Sequence, residues 1–424
     1  MSKVLAAVRG MHDITPEKTT AWQSIEKVLQ QTATNFGYNE VRTPIVEHSE
    51  LFSRSIGTET DIVTKEMYAF DDRNGDKLTL RPEGTASCVR LAIKHDLLRS
   101  PGEKIWYNGP MFRHERPQKG RQRQFHQFGV EVFGLAATSI EVELISLCSN
   151  IWHQLKITDK VQLEINHLGS KQDRENYKIA LVAYFRQHEK LLSTDELQRL
   201  QLNPLRILDS KNEVIKELLI NAPKLADFLS VNAAAEFKAL GLELDNLGIA
   251  YKINPFLVRG LDYYSALVFE WTTTELGAQG TICAGGRYDD LVANLGNINT
   301  PAIGFALGIE RLILLTMDNL PLKEQPLSYV IALNENAVST ANKITHLIRA
   351  ESKHICLQDH IDSSAKNKFK RAAKSNAKIA IIIGDDELAA NSVTIKYLQQ
   401  EQPQTIIKVA DLIAFITRLE GESR

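Results

Sequence analysis

Residues 105–134, IWYNGPMFRHERPQKGRQRQFHQFGVEVFG, constrain the fold more than any other stretch. Two apolar runs flank a hydrophilic loop, which predicts a pair of strands. The loop from Arg113 to Arg123 carries four Arg and one Lys against a single Glu, Glu115. Pro117 and Gly120 keep it from being helix or strand. Such a density of positive charge asks for a polyanion. On the second strand, period-2 alternation puts Phe125, Gln127, Gly129, Glu131 and Phe133 on one face and Phe128, Val130 and Val132 on the other. The second set is plain core. The first mixes aromatic rings with an amide and a carboxylate, which suits a pocket. Tyr107, Gly109, Met111 and Arg113 share a face of the first strand in the same way. A face carrying Arg113, Phe125, Gln127 and Glu131 beside a basic loop fits a nucleotide plus a small cationic or polar ligand. A solvated hairpin tip is the commoner fate of a charge run, but it leaves Gln127 and Glu131 without a reason.

The remaining chain supplies the frame. At 424 residues it should hold two or three domains. Its net charge of −2 means that nucleic-acid binding has to come from local patches. Cys88, Cys148, Cys283 and Cys356 are far apart, without CxxC or zinc spacing, and read as buried free thiols in a reducing compartment. The N-terminal residues lack the apolar region of a signal peptide, and no apolar run approaches a membrane span. A cytoplasmic protein without a membrane partner is expected.

In order, the pattern predicts a helix from about Thr19 to Phe36, with Trp22, Ile25 and Leu29 on its buried face and Gly37 as its stop. A strand over Tyr38–Val46 follows, interrupted by Pro44. Leu78–Glu83 reads as a short strand running into a helix through Cys88 to His95, which Thr85 could cap. A helix within 135–157 and a strand at Val161–Ile165 come next. Residues 169–248 are mostly helical and polar, and no chemistry is legible there. Leu257–Trp271 reads as an apolar strand interrupted by Arg259, which needs a carboxylate or phosphate, with Asp262 as the local candidate. The paired glycines of CAGGRYDDL (283–291) suggest a tight turn or a close backbone approach to a ligand. Ile303–Met317 reads as a strand entering a helix, where Arg311 needs Glu310, Asp318 or a phosphate. Pro321–Pro326 reads as a linker. Beyond it strands and helices alternate, which predicts a small α/β domain with a partly parallel sheet. In that domain Lys366, Lys370, Lys374 and Lys378 recur every four residues, a basic stripe if the helix extends that far.

Phe112-Arg113-His114-Glu115 followed by an Arg-rich loop resembles the second signature motif of class II aminoacyl-tRNA synthetases. The string GPMFRHERPQKGRQRQFHQFGVEVFG resembles histidyl-tRNA synthetase specifically, as do LRPEGTA (80–86), NPLRILDSKN (203–212), RGLDYY (259–264) and CAGGRYDDL. Gly308-Ile309-Glu310-Arg311 resembles the third class II motif, and the first helix, strand and proline the motif that builds the family's dimer interface. The family's pattern usually has polar residues where Ser265-Ala266-Leu267 stands here.

The resemblance implies an α+β catalytic core on an antiparallel sheet (1–325), a helical insertion at about 169–248, and an α/β anticodon-binding domain (326–424). It implies a homodimer that joins L-histidine to tRNA(His) with ATP, accompanied by Mg²⁺, although no dedicated metal cluster is visible. Arg113 and Arg259 would act on the ATP α-phosphate, Arg311 on the γ-phosphate, and Phe125 would face the adenine. Glu83, Thr85 and Gln127 would hold the substrate ammonium. Glu131 and Tyr264 would meet the imidazole, in a pocket shared with Tyr263, Ala284 and Gly285. Arg121, Arg116, Gln118 and Arg123 are candidates for ATP or the acceptor stem, and Lys366, Lys370 and Lys374 for RNA. Two rival readings are a non-catalytic paralogue that regulates histidine biosynthesis and an RNA- or amino-acid-sensing module. The first usually lacks the anticodon domain, and the second has no need of Arg113, Arg259 and Arg311 together.

Overall fold

The computed structural model describes residues 5–58, 60–210, 212–277, 280–317 and 325–421. The chain divides into two compact units, residues 1–321 and 322–424. The strands of the first are β1 (Asn39–Glu40), β2 (Val46–His48), β3 (Tyr68–Asp71), β4 (Lys77–Leu80), β5 (Glu103–Phe112), β6 (Gln124–Phe133), β7 (Gln162–His167), β8 (Tyr251–Ile253), β9 (Leu267–Thr272), β10 (Thr281–Arg287) and β11 (Ala302–Gly308). Eight form one sheet in the order β1-β5-β6-β11-β10-β9-β7-β8, while β2, β4 and β3 make a small second sheet. The large sheet is antiparallel except at its two margins, where β1 pairs with β5 and β7 with β8 in parallel.

The alternation along β6 sorts its side chains as the sequence requires. Phe128, Val130 and Val132 enter a core closed by α1 (Pro16–Asn35), through Trp22, Ile25 and Leu29, and by the helix Thr138–Gln154, through Leu144, Ile145, Ile151 and Trp152. Each fully buried aliphatic or aromatic chain there contributes about 1.5–3 kcal/mol. The other face meets α3 (Thr85–Lys94) and the helix Asp289–Gly296, with Tyr107, Met111 and Phe133 in the contact, and α2 (Ser49–Ile56) packs against those two helices. The rest of that face is left open.

Three local expectations are corrected. The strand at 38–46 reduces to β1, and the chain leaves the sheet before β2 joins β4. Pro44 cannot donate to a ladder, and the departing backbone is held instead by Arg81, whose Nη1 donates to Thr43 O and Oγ1 at 2.9 and 2.8 Å. The strand at 257–271 begins only at Leu267, since Arg259, Gly260 and Asp262 lie in a loop. Gly285 and Gly286 form no turn; they lie inside β10, where a Cβ on Gly285 would strike Phe305 and Phe269 and one on Gly286 the Tyr264 ring.

Residues 169–248 are mainly helical: α5 (Lys171–Gln187), α6 (Thr194–Leu202), α7 (Glu213–Ile220) and α8 (Val231–Asn246), named after α4 (Thr138–Gln154). Capping boxes Ser170/Asp173 and Ser193/Glu196 start α5 and α6. Tyr177, Leu181, Phe185, Ile207 and Ile215 give the insertion its own core, while Leu240 and Leu244 of α8 join the main one.

The second unit has β12 (Ser328–Ala332), β13 (Cys356–Gln358), β14 (Ile379–Ile383), β15 (Ser392–Tyr397) and β16 (Thr405–Lys408), in the order β13-β12-β14-β15-β16. The first three are parallel and the others antiparallel, a partly parallel sheet. Lys366, Lys370 and Lys374 are exposed on the helix Ala365–Lys374. That helix ends at Lys374, so Lys378 is not part of the stripe. Lys368 turns inward to donate to Ala332 O at 2.7 Å, and Arg371 pairs with Asp359 at 2.9 Å. The expected linker and Asp318 fall largely or wholly outside the described residues.

Candidate active site

The open face of the large sheet floors a cavity of about 1160 Å³, lined by β6, β10 and β11 together with loops and part of the insertion. Its two ends differ in chemistry.

One end is cationic. Arg113 follows β5, and its Nε donates to Pro82 O at 2.8 Å while the guanidinium lies over the Phe125 ring, 5.3 Å from the centroid. Arg121 pairs with Glu115, and Arg259 with Glu270 on β9. Arg311 enters from the helix Ile309–Thr316, its Nε donating to Gly120 O at 3.1 Å and its Nη1 to Thr281 O. All four arginines line the cavity. Burial, then the proximity of Arg121, Arg113 and Arg259, pushes Arg311 down to about 10. Burial likewise lowers Arg113 and Arg121. Cations that disfavour one another this way are arranged for an anion.

Two expected partners are different in the structure. Asp262 does not pair with Arg259; it meets Arg206 at 3.0 Å, and Glu270, brought alongside by β9, takes its place. Glu310 accepts His126 N at 3.0 Å and lies 3.0 Å from His126 Nδ1, on the strand facing its helix.

The other end is acidic and phenolic. Glu83 caps α3 by accepting Thr85 N at 2.7 Å and Ala86 N at 2.9 Å, so the capping role considered for Thr85 belongs to Glu83. Thr85, the first helical residue, donates its hydroxyl to Glu131 Oε1 at 2.7 Å, and Tyr288 donates to Glu131 Oε2. Burial drives the Glu131 carboxyl up to about 8, against the hydroxyl donors that favour its anion. Glu131 has no exposed surface and lies behind Thr85 and Tyr288, both of which line the cavity. Room for it comes from Gly304, where a Cβ would overlap its carboxylate. The Tyr263, Tyr264 and Tyr288 rings cluster at the cavity wall, with centroids 4.7, 5.5 and 6.4 Å apart. In the same cavity, the buried Gln127 Oε1 and Arg259 Nε have no hydrogen-bond partner among the described residues.

The structure thus brings Glu83, Thr85, Arg113, Arg121, Phe125, Gln127, Arg259, Tyr263, Tyr264, Ala284 and Arg311 to one cavity. Gly285 is not in the lining; its space is taken by Gly304 O, Phe305 and Phe269. Arg116 and Gln118 are exposed on the loop, and Arg123 turns its Nε to Glu115 O at 3.2 Å. Sequence reasoning missed Tyr288 and Glu270, and it missed Arg199, Asn203 and Arg206 of the insertion, which reach the same cavity. The NPLRILDSKN string was the available signal for the last two.

Residues 10–312 match the histidyl-tRNA synthetase family, and residues 328–419 match the anticodon binding domain family. The crystal structure of apo S. aureus histidyl-tRNA synthetase is 32% identical, covers 97% of this chain and 100% of its own, and superposes with a TM-score of 0.82. A histidyl-tRNA synthetase from Nostoc sp. PCC 7120 shares the fold at 19% identity and a TM-score of 0.69, covering 98% of this chain and 99% of its own. So does an ATP phosphoribosyltransferase regulatory subunit/histidyl-tRNA synthetase from Bacillus halodurans C, at 22% identity and 0.64, covering 88% and 97%. With its motifs gathered around one cavity and both of its units matched, the chain belongs to the histidyl-tRNA synthetase family.

Proposed function

We propose that the protein is a histidine–tRNA ligase. It activates L-histidine with ATP, forming histidyl-adenylate and pyrophosphate, and then transfers histidine to the 3′ end of tRNA(His). The observation that carries this reading is that one cavity gathers four arginines, Arg113, Arg121, Arg259 and Arg311, together with Glu83, Thr85 and three tyrosines. The arginines suit a triphosphate, and the carboxylate, hydroxyl and phenols suit an amino acid that presents N–H groups.

A carboxylate is already a nucleophile, so the site has to position it and stabilise charge. Arg113 and Arg259 flank the α-phosphate, where negative charge gathers as the oxygen–phosphorus bond changes partners. Arg311 holds the γ-phosphate, with Arg121 nearby. Phe125, already covered on one side by Arg113, offers its ring to adenine. Glu83, Thr85 and Gln127 take the ammonium group. Tyr264 meets the imidazole directly, and Glu131 acts on it chiefly by fixing Thr85 and Tyr288. Among the described residues no group of three or more His, Cys, Asp or Glu is placed to hold a metal. Mg²⁺ would therefore enter on the nucleotide phosphates, with at most a carboxylate or two from the chain.

Lys366, Lys370 and Lys374 provide an exposed basic face for tRNA on the anticodon-binding unit. Exposed apolar residues at Leu5, Val8, Ile45, Val46 and Phe70 favour a homodimer. Buried free thiols suit the cytoplasm, and among the described residues no helix is long and apolar enough to cross a membrane.

A second reading is a regulatory subunit without aminoacylation; the Bacillus halodurans relative is described as an ATP phosphoribosyltransferase regulatory subunit/histidyl-tRNA synthetase. The joint presence of Arg113, Arg259, Arg311 and the anticodon-binding unit argues for the ligase. Pyrophosphate exchange with each of the twenty amino acids separates the two: exchange with histidine alone supports the ligase, and none at all overturns it.

A further inference from the structure

The loop carrying Arg259 is anchored from a direction that this chemistry does not use. Between Leu257 and Ser265 the chain has no regular secondary structure. Its ends are tied through the backbone, by Asn166 Nδ2 donating to Leu257 O at 3.0 Å and by Ser265 N donating to Arg287 O at 2.8 Å. Its two charged side chains go different ways. Arg259 turns to Glu270 on the sheet. Asp262 turns to the helical insertion, where its Oδ1 accepts Asn203 Nδ2 at 2.9 Å and its two oxygens accept Arg206 Nη2 at 3.2 and 3.0 Å. Both donors come from one short piece, the 3-10 helix Pro204–Asp209 and its capping residue Asn203.

Opposite the insertion, Asp262 rests on Gly57, whose φ of +102° favours glycine and where a Cβ would come within 2.8 Å of Asp262 Oδ2. Its own N–H donates to Ile56 O at 3.4 Å. Asp262 is therefore where α2, the insertion and the Arg259 loop meet. The Arg206 and Asp262 side chains are 21% and 34% exposed. An ion pair that wet adds little to global stability, so breaking it should leave the fold intact.

We propose that Asp262 is a positioning residue that fastens the insertion, through Arg206 and Asn203, to the loop bearing Arg259. The seat of the insertion then fixes where the Arg259 guanidinium and the Tyr263 ring stand in the cavity. This rests on the ligase reading given above. A guanidinium that must meet developing charge has to be in place beforehand, and displacement on the order of 1 Å costs up to about 100-fold in rate.

The test is single-turnover histidyl-adenylate formation by the full chain carrying Asp262→Ala, Arg206→Ala, both together, or Arg206→Lys. The expected result is a fall in the rate constant of about 10- to 100-fold for each single change, with KM for histidine little moved. The double variant should be no worse than Asp262→Ala alone, because removing Asp262 already breaks the link to both Arg206 and Asn203. Arg206→Lys should recover most of the rate, and melting temperatures should stay close to that of the parent. Arg206 also lines the cavity, so a loss confined to Arg206→Ala, or losses that multiply in the double variant, would assign it a direct contact and overturn the proposal. Unchanged rates would overturn it too. If the parent protein itself forms no adenylate, the ligase reading fails instead. The fastening is then judged by trypsin cleavage of the insertion, which Asp262→Ala should accelerate several-fold and which, if unaltered, removes it.

Discussion

Thr85 donates its hydroxyl hydrogen to Glu131 across 2.7 Å, from a helix start 46 residues away in the chain. Glu131 receives Tyr288 on its other oxygen. With their hydrogens committed inward, both hydroxyls can offer only lone pairs to the cavity. A ligand that presents N–H groups suits such a wall.

Glu131→Ala should raise the KM for histidine roughly 10- to 100-fold, because the Thr85 and Tyr288 hydroxyls lose the buried partner that orients them, a loss of about 1–3 kcal/mol. ATP binding should be nearly unaffected. Measuring both constants by pyrophosphate exchange checks this, and an unchanged histidine KM would show that the network does not serve the amino-acid site.

The same carboxyl predicts a pH dependence. Burial raises it to about 8, above the ordinary carboxyl value of 4.5, so the folded state holds a proton that the unfolded chain has released. Stability without ligand should then fall as pH rises from about 4.5 to about 8 and level off beyond. Glu131→Gln, which cannot ionise, should flatten that slope in denaturant titrations run across the window. A parallel slope in the variant would assign the effect to other groups.

Arg259→Ala should slow adenylate formation on the order of 10²–10³-fold, the usual loss for one preorganised donor. It should also cost stability, because Glu270 is left unpaired with a side chain only 13% exposed. Adding Glu270→Gln should restore the melting temperature without restoring the rate. Were the rate to return as well, Arg259 would be a structural partner of Glu270 and nothing more. Arg259→Lys should remain slow, since an ammonium does not reproduce the planar fork.

Reversing Lys370 and Lys374 to Glu should weaken tRNA binding and lower the slope of log K against log salt by about 1–2. Filter binding over a range of salt concentrations reads this directly. A slope equal to that of the parent would leave the two lysines as a solvated helix face.

Gly129→Ala places a Cβ 2.5 Å from the Tyr107 ring atoms on the neighbouring strand. Tyr107 is 3% exposed and also abuts Gly84, so it cannot retreat. A loss of roughly 1–3 kcal/mol is expected from such overpacking, measurable by urea unfolding.

Much of the candidate site was legible in the chain because its signals are local. Which face Phe125, Gln127 and Glu131 share depends only on the two-residue period of a strand, and it held once β6 was a strand at all. The basic loop, the LRPEGTA turn into a helix and the strand-to-helix passage before Arg311 are likewise contained within a few residues. Partners were another matter. Asp262 is three positions from Arg259 and was the natural candidate, yet Glu270 reaches it because β9 runs alongside the loop, while Asp262 is claimed by Arg206 from 56 residues away. Tyr288 became a donor to Glu131 only when β10 and β11 were laid beside β6. The glycines of β10 resembled a turn until the rings of Phe269 and Tyr264 showed what their missing side chains leave room for. The sequence by itself determined most of the strands and helices and the residue types offered to the cavity, since propensity and periodicity act over a few residues. Tertiary structure alone decided which charge meets which, and that the insertion joins the site, because such pairings are selected by packing the whole sheet and no short-range preference encodes them.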